Sequence, residues 1–330
     1  MTLLRRQFIG LASAAVGAVT LPSRAWSQQS QLNYPTRPVR LIVTFAPGGT
    51  VDVFTRIVAQ KLSERLGKQF YVENVAGATG NIGIGQAAKA APDGHTILFA
   101  FSSFVVNPSL FAQVPYDPSK SFEPVTLAVA STHALTVNPS VPAKTMKELV
   151  DLVRANPGKY SFASGGTGTQ AHLLGEQLRL SCGLDLVHVP FNGAGPAVAS
   201  VVAGHTPIGF STLASAATQI QAGQIHALAV TSKARSQLLS HVPTTAEAGY
   251  PDIEGDGWVG VLVPAGTPKG IISLLHDEIV GIIAMPDVKE RLPTLGFDPV
   301  ASTPDEFANR IGLELDTWAR VIRAANIKAQ

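Results

Sequence analysis

The chain has 330 residues with 25 Lys and Arg against 23 Asp and Glu, a formal net charge of +2. Three of the arginines, and no acid, fall in residues 1–27, so the remainder carries 22 basic and 23 acidic residues and no basic run, which excludes a nucleic-acid or membrane-surface footprint. A single cysteine, Cys182, excludes an internal disulfide and a thiolate zinc site, and no C-x-x-C or H-E-x-x-H spacing is present.

The first 27 residues read as an export signal. Arg5 and Arg6 precede the apolar stretch Phe8 to Leu21, and Ala25-Trp26-Ser27 offers a small-residue cleavage site. Fourteen apolar residues are short of the roughly 20 that cross a bilayer. The pair of arginines followed by Gln7, Phe8 and Ile9 resembles a twin-arginine (Tat) signal, with Leu4 standing where that pattern favours Ser or Thr.

Beyond the signal, strands alternate with helices. The run PVRLIVTFA predicts a buried strand that stops at Pro47-Gly48-Gly49, and Thr50 is placed to cap a helix with Phe54, Ile57, Val58, Leu62 and Leu66 on one face and Gly67 at its end. QFYVENV is a second strand, followed by AGATGNIG and a helix, and HTILFAF is a third that runs into Ser102-Ser103. This β-loop-α repetition predicts a doubly wound parallel sheet.

A second set of units begins near Pro124. VTLAVAS and HALTVNP read as strands; Thr145 and Glu148 form a capping-box pattern before MKELVDLVRANPG; YSFAS enters GGTGT and the helix QAHLLGEQLRL. DLVHVPF precedes Asn192-Gly193-Ala194-Gly195 and another helix, TPIGFST is a further strand, and AATQIQAGQI and HALAVTS complete the set. After the strand GDGWVGVLVPAGTP, helices at 269–284, 287–295 and 304–325 have no strands of their own and must pack on the sheet made first. The expected organisation is therefore two doubly wound α/β lobes: residues 28–127 and 252–330 in a discontinuous first lobe, 128–251 in the second.

Four strand ends carry ligand-binding chemistry. Pro47, Gly48, Gly49 and Thr50, together with Ser102 and Ser103, belong to the first lobe; Gly165, Thr167, Gly168 and Thr169, together with Asn192 and Gly193, belong to the second. Glycine lets backbone N–H groups face a ligand, hydroxyls and amides add donors, and three of the four loops open directly into helix N-termini that favour an anion. None contains Lys or Arg, which points to a carboxylate held by neutral donors. Hydrogen bonds to a charged group net about 1.5–3 kcal/mol each, against an association cost of roughly 4–15 kcal/mol, so five or six leave affinity near the micromolar range. Asp52 is the one charge nearby. It either stabilises the first helical turn and pairs with Arg56, or reaches the ligand through an ammonium or a bridging water.

Enzyme readings have less to stand on. Gly77-Ala78-Thr79-Gly80-Asn81-Ile82-Gly83 resembles the dinucleotide loop of short-chain dehydrogenases and supports an NAD(P)-binding alternative. It follows the second strand, however, and the next strand ends in Ser102-Ser103 without the acidic residue that would hold a ribose. There is no G-x-S-x-G elbow. The eight histidines lack metal spacing: His172 is four residues before Glu176 with no third partner in the sequence, and His188 alternates with apolar residues on a strand. No catalytic residue, metal or cofactor is assigned.

The segments FAPGGTVDVFTR, GATGNIGIGQAAKAAPDGHTILFA, YSFASGGTGTQAHLLGEQL, HVPFNGAGPAVASVVAGH, LAVTSKARSQLLSHVPTTAEAGY and GWVGVLVPAGTPKGII, in that order, resemble the substrate-binding receptors of tripartite tricarboxylate transporters, the Bug receptors. The resemblance covers essentially the whole exported chain. It implies a monomeric periplasmic receptor of the type II binding-protein fold that closes like a hinged trap on a di- or tricarboxylate, acidic amino acid or aromatic acid. It also implies delivery of that cargo to a small and a large membrane subunit, without membrane insertion of its own. In the family the first Gly-rich loop and its helix hold a ligand carboxylate, partly through waters; here that falls on Pro47, Gly48, Gly49 and Asp52. The second-lobe loops map to Gly165, Thr167, Gly168, Thr169, Asn192 and Gly193. Phe191 stands where a Tyr is common, which removes one hydroxyl donor.

Overall fold

A computed structural model describes residues 33–328; the expected export signal at 1–27 lies outside the described residues. Strand β1 (Val39–Val43) leads into helix α1 (Thr50–Leu66), β2 (Phe70–Asn74) into α2 (Asn81–Ala88), and β3 (Thr96–Phe101) into α3 (Ser103–Leu110). Strands β4 (Phe122–Ser131) and β5 (His133–Val137) are separated by Thr132 alone. Then come α4 (Met146–Arg154), β6 (Tyr160–Ser164), α5 (Gln170–Cys182), β7 (Leu186–Pro190), α6 (Ala194–Val202), β8 (Ile208–Thr212), α7 (Leu213–Gln221) and β9 (His226–Val230). The chain continues as β10 (Gly257–Pro264), α8 (Lys269–Ile283), α9 (Pro286–Arg291), β11 (Asp298–Pro299) and α10 (Pro304–Ala324).

These strands sort into two sheets, one in the order β11-β4-β10-β3-β1-β2 and the other β7-β6-β8-β5-β9. Each contains a parallel trio, β2-β1-β3 or β7-β6-β8. The sheets are mixed, which corrects the expectation of purely parallel ones: β10 lies antiparallel between β3 and β4, and β5 antiparallel between β8 and β9. The reason is the crossing. A strand that arrives from the other sheet enters at the edge where the parallel strands end, so it must run against them.

Side-chain alternation places a core on each face of each sheet. Val39, Leu41 and Val43 pack with Phe54, Val58 and Leu62 of α1 and Leu275 and Ile279 of α8. Ile42, Leu98 and Ala100 face Phe104 of α3 and Phe307, Ile311 and Trp318 of α10. The terminal helices thus cover the first sheet, as their lack of strands required. In the second sheet Leu135 and Phe162 meet α4 and α5 on one face, and Ala163 meets α6 and α7 on the other. Each such buried side chain contributes about 1.5–3 kcal/mol, so the layers hold the fold and the loops at their ends are left for other work.

Two local expectations change. Gly49, not Thr50, is the N-cap of α1, and it makes no side-chain cap bond. Ser102-Ser103 also opens into a helix, α3, whose Pro108 and paired valines hid it from the pattern. At α4 the capping pattern forms with one change of donor: Thr145 Oγ1 accepts from the Glu148 amide at 3.2 Å, while the Glu148 carboxylate accepts from the Lys144 amide at 2.6 Å. Cys182 is the last residue of α5, half-buried beside the core of the second sheet.

Candidate functional site

The strand register fixes where the four loops lie. Phe101, the end of β3, pairs with Val259, and Gly257, the start of β10, pairs with Ser131, the end of β4. In the other sheet His133, the start of β5, pairs with Thr212, the end of β8. A Cβ on Gly257 would stand 2.9 Å from the Phe101 ring and 3.3 Å from the His133 ring. The carboxyl ends of β3 and β8 therefore meet at the crossing. Since β1 and β2 run parallel to β3, and β6 and β7 to β8, all six ends point to that side. In open α/β sheets this is where ligands bind. The two halves also touch there: a Cβ on Gly168 would come within 2.5 Å of Leu110 Cδ2 in α3.

The first loop is held by one carboxylate. Asp52 is 2% exposed; its Oδ2 accepts from the Gly48 amide at 2.9 Å and Arg56 Nε at 3.0 Å, and its Oδ1 accepts from Asn74 Nδ2 at 2.8 Å. Burial pushes its pKa up, but the bonds from Arg56, Gly48 and Asn74 outweigh this and hold it below the ordinary value. With both oxygens engaged, the geometry favours the bracing reading of Asp52 over ligand contact. Gly48 sits at φ +83°, left-handed backbone that suits glycine, and its amide is turned inward. Pro47, Gly48 and Gly49 are exposed, and the N–H groups of the first turn, from Thr50 on, project from the helix end.

Ser102 is buried at the end of β3. Ser103 Oγ and Thr44 Oγ1 are both buried without a hydrogen-bond partner, and a Cβ on Gly80 would lie 3.7 Å from the first and 3.2 Å from the second. Buried hydroxyls are normally paired, so these two have hydrogen-bonding capacity left over. Thr44 escaped the sequence reading because it continues an apolar strand; so did Ser211, whose buried Oγ is likewise unpartnered one residue before β8 ends. The Gly77–Gly83 loop is explained by packing: a Cβ on Gly83 would approach the Val75 carbonyl oxygen to 2.7 Å.

The second-half loops are laced together. The Phe191 amide donates to the Ser164 carbonyl at 3.0 Å and the Gly193 amide to the Gly165 carbonyl at 3.1 Å, bringing Asn192 and Gly193 beside Gly165. Asn192 is exposed and Thr167 half-buried. Thr169 caps α5; its hydroxyl donates to the Gly166 carbonyl at 2.7 Å and accepts from the His172 amide at 3.4 Å. His172 does have partners beyond Glu176, from other elements: the Gly168 amide donates to its Nδ1 at 3.0 Å and its ring stacks on His188. Burial, with His172 adding to it, pushes the His188 pKa down to about 4 against the pull of Glu176.

A cavity of about 610 Å³ lies elsewhere, along the seam of α5 and α10, with Lys233, Glu254, Arg310 and Trp318 among its walls and none of the four loops. Its charges are of both signs and largely paired with one another, as in Lys233–Glu254 and Arg310–Glu314. Convergent unpaired donors are found at the strand ends, so volume is the poorer guide. Among the described residues no cluster of His, Cys, Asp or Glu is arranged to hold a metal, and no helix is long and apolar enough to cross a membrane.

Comparison with known proteins adds four findings. The profile of the tripartite tricarboxylate transporter family receptor matches residues 54–327. Protein BugT of Bordetella pertussis is 36% identical over 297 residues, covering 89% of this chain and 91% of BugT. Among solved structures, an R. palustris protein with adipate is similar at 30% identity and TM-score 0.74, covering 90% of this chain and all of that one. MatC from Rhodopseudomonas palustris with bound malate is similar at 29% identity and TM-score 0.71, covering 88% of this chain and all of MatC.

Proposed function

The chain belongs to the tripartite tricarboxylate transporter receptor family, a family of solute-binding receptors, and from that premise we propose that it is a periplasmic receptor for a small aliphatic carboxylate. The ligand lies between the lobes, against the loops Pro47–Thr50, Ser102-Ser103, Gly165–Thr169 and Asn192-Gly193, held by those of their N–H and side-chain groups that are not already engaged within the loops. The observation that carries this reading is the convergence of six strand ends, four of them bearing uncharged loops rich in Gly, Ser, Thr or Asn, on one crossing between two sheets. Unpartnered Thr44 and Ser103 hydroxyls beside them supply further donors. The lobes are taken to divide at 127/128 and 251/252, a reading supported by the passage between the two sheets at Thr132 and again between β9 and β10. Neighbours solved with adipate and malate support a dicarboxylate. The receptor acts as a monomer, exported by its N-terminal signal, and hands its cargo to a small and a large membrane subunit.

A ligand that prefers the closed state stabilises it: at about 100 times its Kd it adds about 2.7 kcal/mol. Thermal-shift titration of the protein lacking residues 1–27 with malate, adipate and other carboxylates should raise Tm for at least one. A response to NAD(H) and to no carboxylate would replace this reading. Gly49→Asp places a charge at an N-cap with ordinary backbone (φ −71°) and room for a side chain; it should abolish the response while the fold persists.

A further inference from the structure

Two imidazoles lie beneath the Gly165–Thr169 loop, and ligand contact gives neither a task. His172 is 4% exposed; its ring stacks on that of His188, with centroids 3.6 Å apart and planes at 11°. Phe162, from the neighbouring strand, packs against both rings at 6.3 and 4.9 Å. Each imidazole secures one loop amide. The Gly168 N–H donates to His172 Nδ1 at 3.0 Å, and the Gly166 N–H donates at 3.2 Å to Ser164 Oγ, which lies 2.7 Å from His188 Nε2.

We propose that His172 is a positioning residue of the binding site: its bare Nδ1 turns the Gly168 amide inward, sets the loop in its binding shape, and makes carboxylate affinity fall on acidification. This rests on the receptor reading above. An acceptor at Nδ1 leaves the ring proton on Nε2, which faces Glu176 Oε1 at 3.8 Å; Glu176 is in turn held by Arg179 Nε at 2.7 Å. The titratable and charged groups facing His172 are therefore Glu176 and Arg179 from its own helix and His188 from β7. Protonating Nδ1 would set one N–H against another, and the Gly168 amide would lose its only acceptor. The loop could then relax away from a conformation that Gly168 holds at φ +77° and that seats it against Leu110. Burial, with His172 adding to it, pushes the His188 pKa down to about 4, which opposes protonation of that ring.

The test compares wild type with His172→Asn, whose side-chain oxygen can accept from Gly168 but cannot titrate, and with His172→Leu, which cannot accept. Calorimetric titration uses malate and adipate as probes from pH 8 to pH 5.5; protonation of the probe itself is common to all three proteins and cancels in the comparison. His172→Asn should keep wild-type affinity within about threefold at pH 8 and lose the excess pH dependence, whereas His172→Leu should lose about tenfold at pH 8, the scale of one hydrogen bond, and approach wild type as pH falls. A second readout needs no ligand: side-chain 15N NMR of the free protein should show the Nε2–H tautomer, and the Gly168 amide should lose exchange protection in His172→Leu. If neither probe binds wild type, the dicarboxylate reading fails while the tautomer and the Gly168 protection still decide the brace. A wild-type pH slope retained in His172→Asn, or an Nδ1–H tautomer, overturns the proposal; should His172→Leu not fold, these two measurements stand without it.

Discussion

The Pro47–Thr50 loop and the Gly165–Thr169 loop occupy the same slot in their sheets, following the middle strand of a parallel trio, yet they are braced by different chemistry. In the first, the carboxylate of Asp52 gathers Gly48, Arg56 and Asn74. In the second, His172 and the Ser164–His188 pair take one amide each. The first device turns one N–H inward, that of Gly48, and the second turns two, those of Gly166 and Gly168, so that their neighbours can face a ligand. They differ in when they work. A carboxylate whose pKa is lowered by its donors accepts throughout the neutral and mildly acid range, whereas an imidazole accepts only while it is neutral. One lobe thus presents a constant surface and the other a conditional one.

The largest expected effect breaks the first brace. Asp52→Ala takes the acceptor from the Gly48 amide and from Arg56 Nε and leaves Asn74 Nδ2 only the Phe45 carbonyl, and with Arg56 half exposed it should cost about 2–3 kcal/mol in urea unfolding at pH 7. The loss should persist at pH 5.5. A depressed carboxylate pKa contributes stability that is present above the unfolded value and is lost only as pH falls through the lower, folded one. Asp52→Asn retains an acceptor and should cost about half as much. An alanine variant as stable as wild type would show that the carboxylate does not organise this loop.

Much of this was legible beforehand, and the gaps have physical causes. Apolar runs bounded by glycine gave the strands, and the sequence placed helix starts at Lys269 and Pro304 where the structure has them. The glycine-rich loops stood out because their composition differs from their surroundings. Thr44 and Ser211 did not, since a single hydroxyl in a strand does not disturb alternation. The antiparallel entry of β5 and β10 was hidden because alternation carries no direction; only the position of the crossing sets it. His172 and His188 carry no signal as a pair in the sequence, because 16 residues and two kinds of element separate rings that the fold stacks face to face.

Asp256 sharpens the lesson of Asp52 by being its opposite. At the crossing, its Oδ1 is buried with no donor, and burial pushes its pKa up to about 7; Arg310 opposes this, and Glu254, Glu314 and Asp298 add to it. A carboxyl raised in this way adds stability fully below its unfolded value near 3.8 and loses it as pH rises through about 7. Asp256→Asn removes the penalty, so at pH 8 it should be more stable than wild type by about 1–3 kcal/mol, and the two should converge toward pH 4. Equal stability at pH 8 would mean that water or Arg310 satisfies the ionised group.

The smallest effect separates backbone from contact. Gly48 and Gly168 share left-handed backbone, at φ +83° and +77°, so an added methyl at either should cost about 1 kcal/mol. At Gly48 nothing lies within 4 Å of that methyl, whereas at Gly168 it meets Leu110 Cδ2 at 2.5 Å. Leucine can give way by rotation, so the surplus at Gly168 should be about 0.5–1 kcal/mol. In a double-mutant cycle, Leu110→Ala should remove that surplus from Gly168→Ala and leave Gly48→Ala unchanged. The same contact spans the two lobes, so Gly168→Ala should also weaken binding of a carboxylate more than Gly48→Ala does, because it props the lobes apart where they meet. Equal penalties at the two glycines, unaffected by Leu110→Ala, would mean that the Gly168–Leu110 approach contributes nothing to closure, and that other contacts such as Leu173 against Trp318 hold the two halves together.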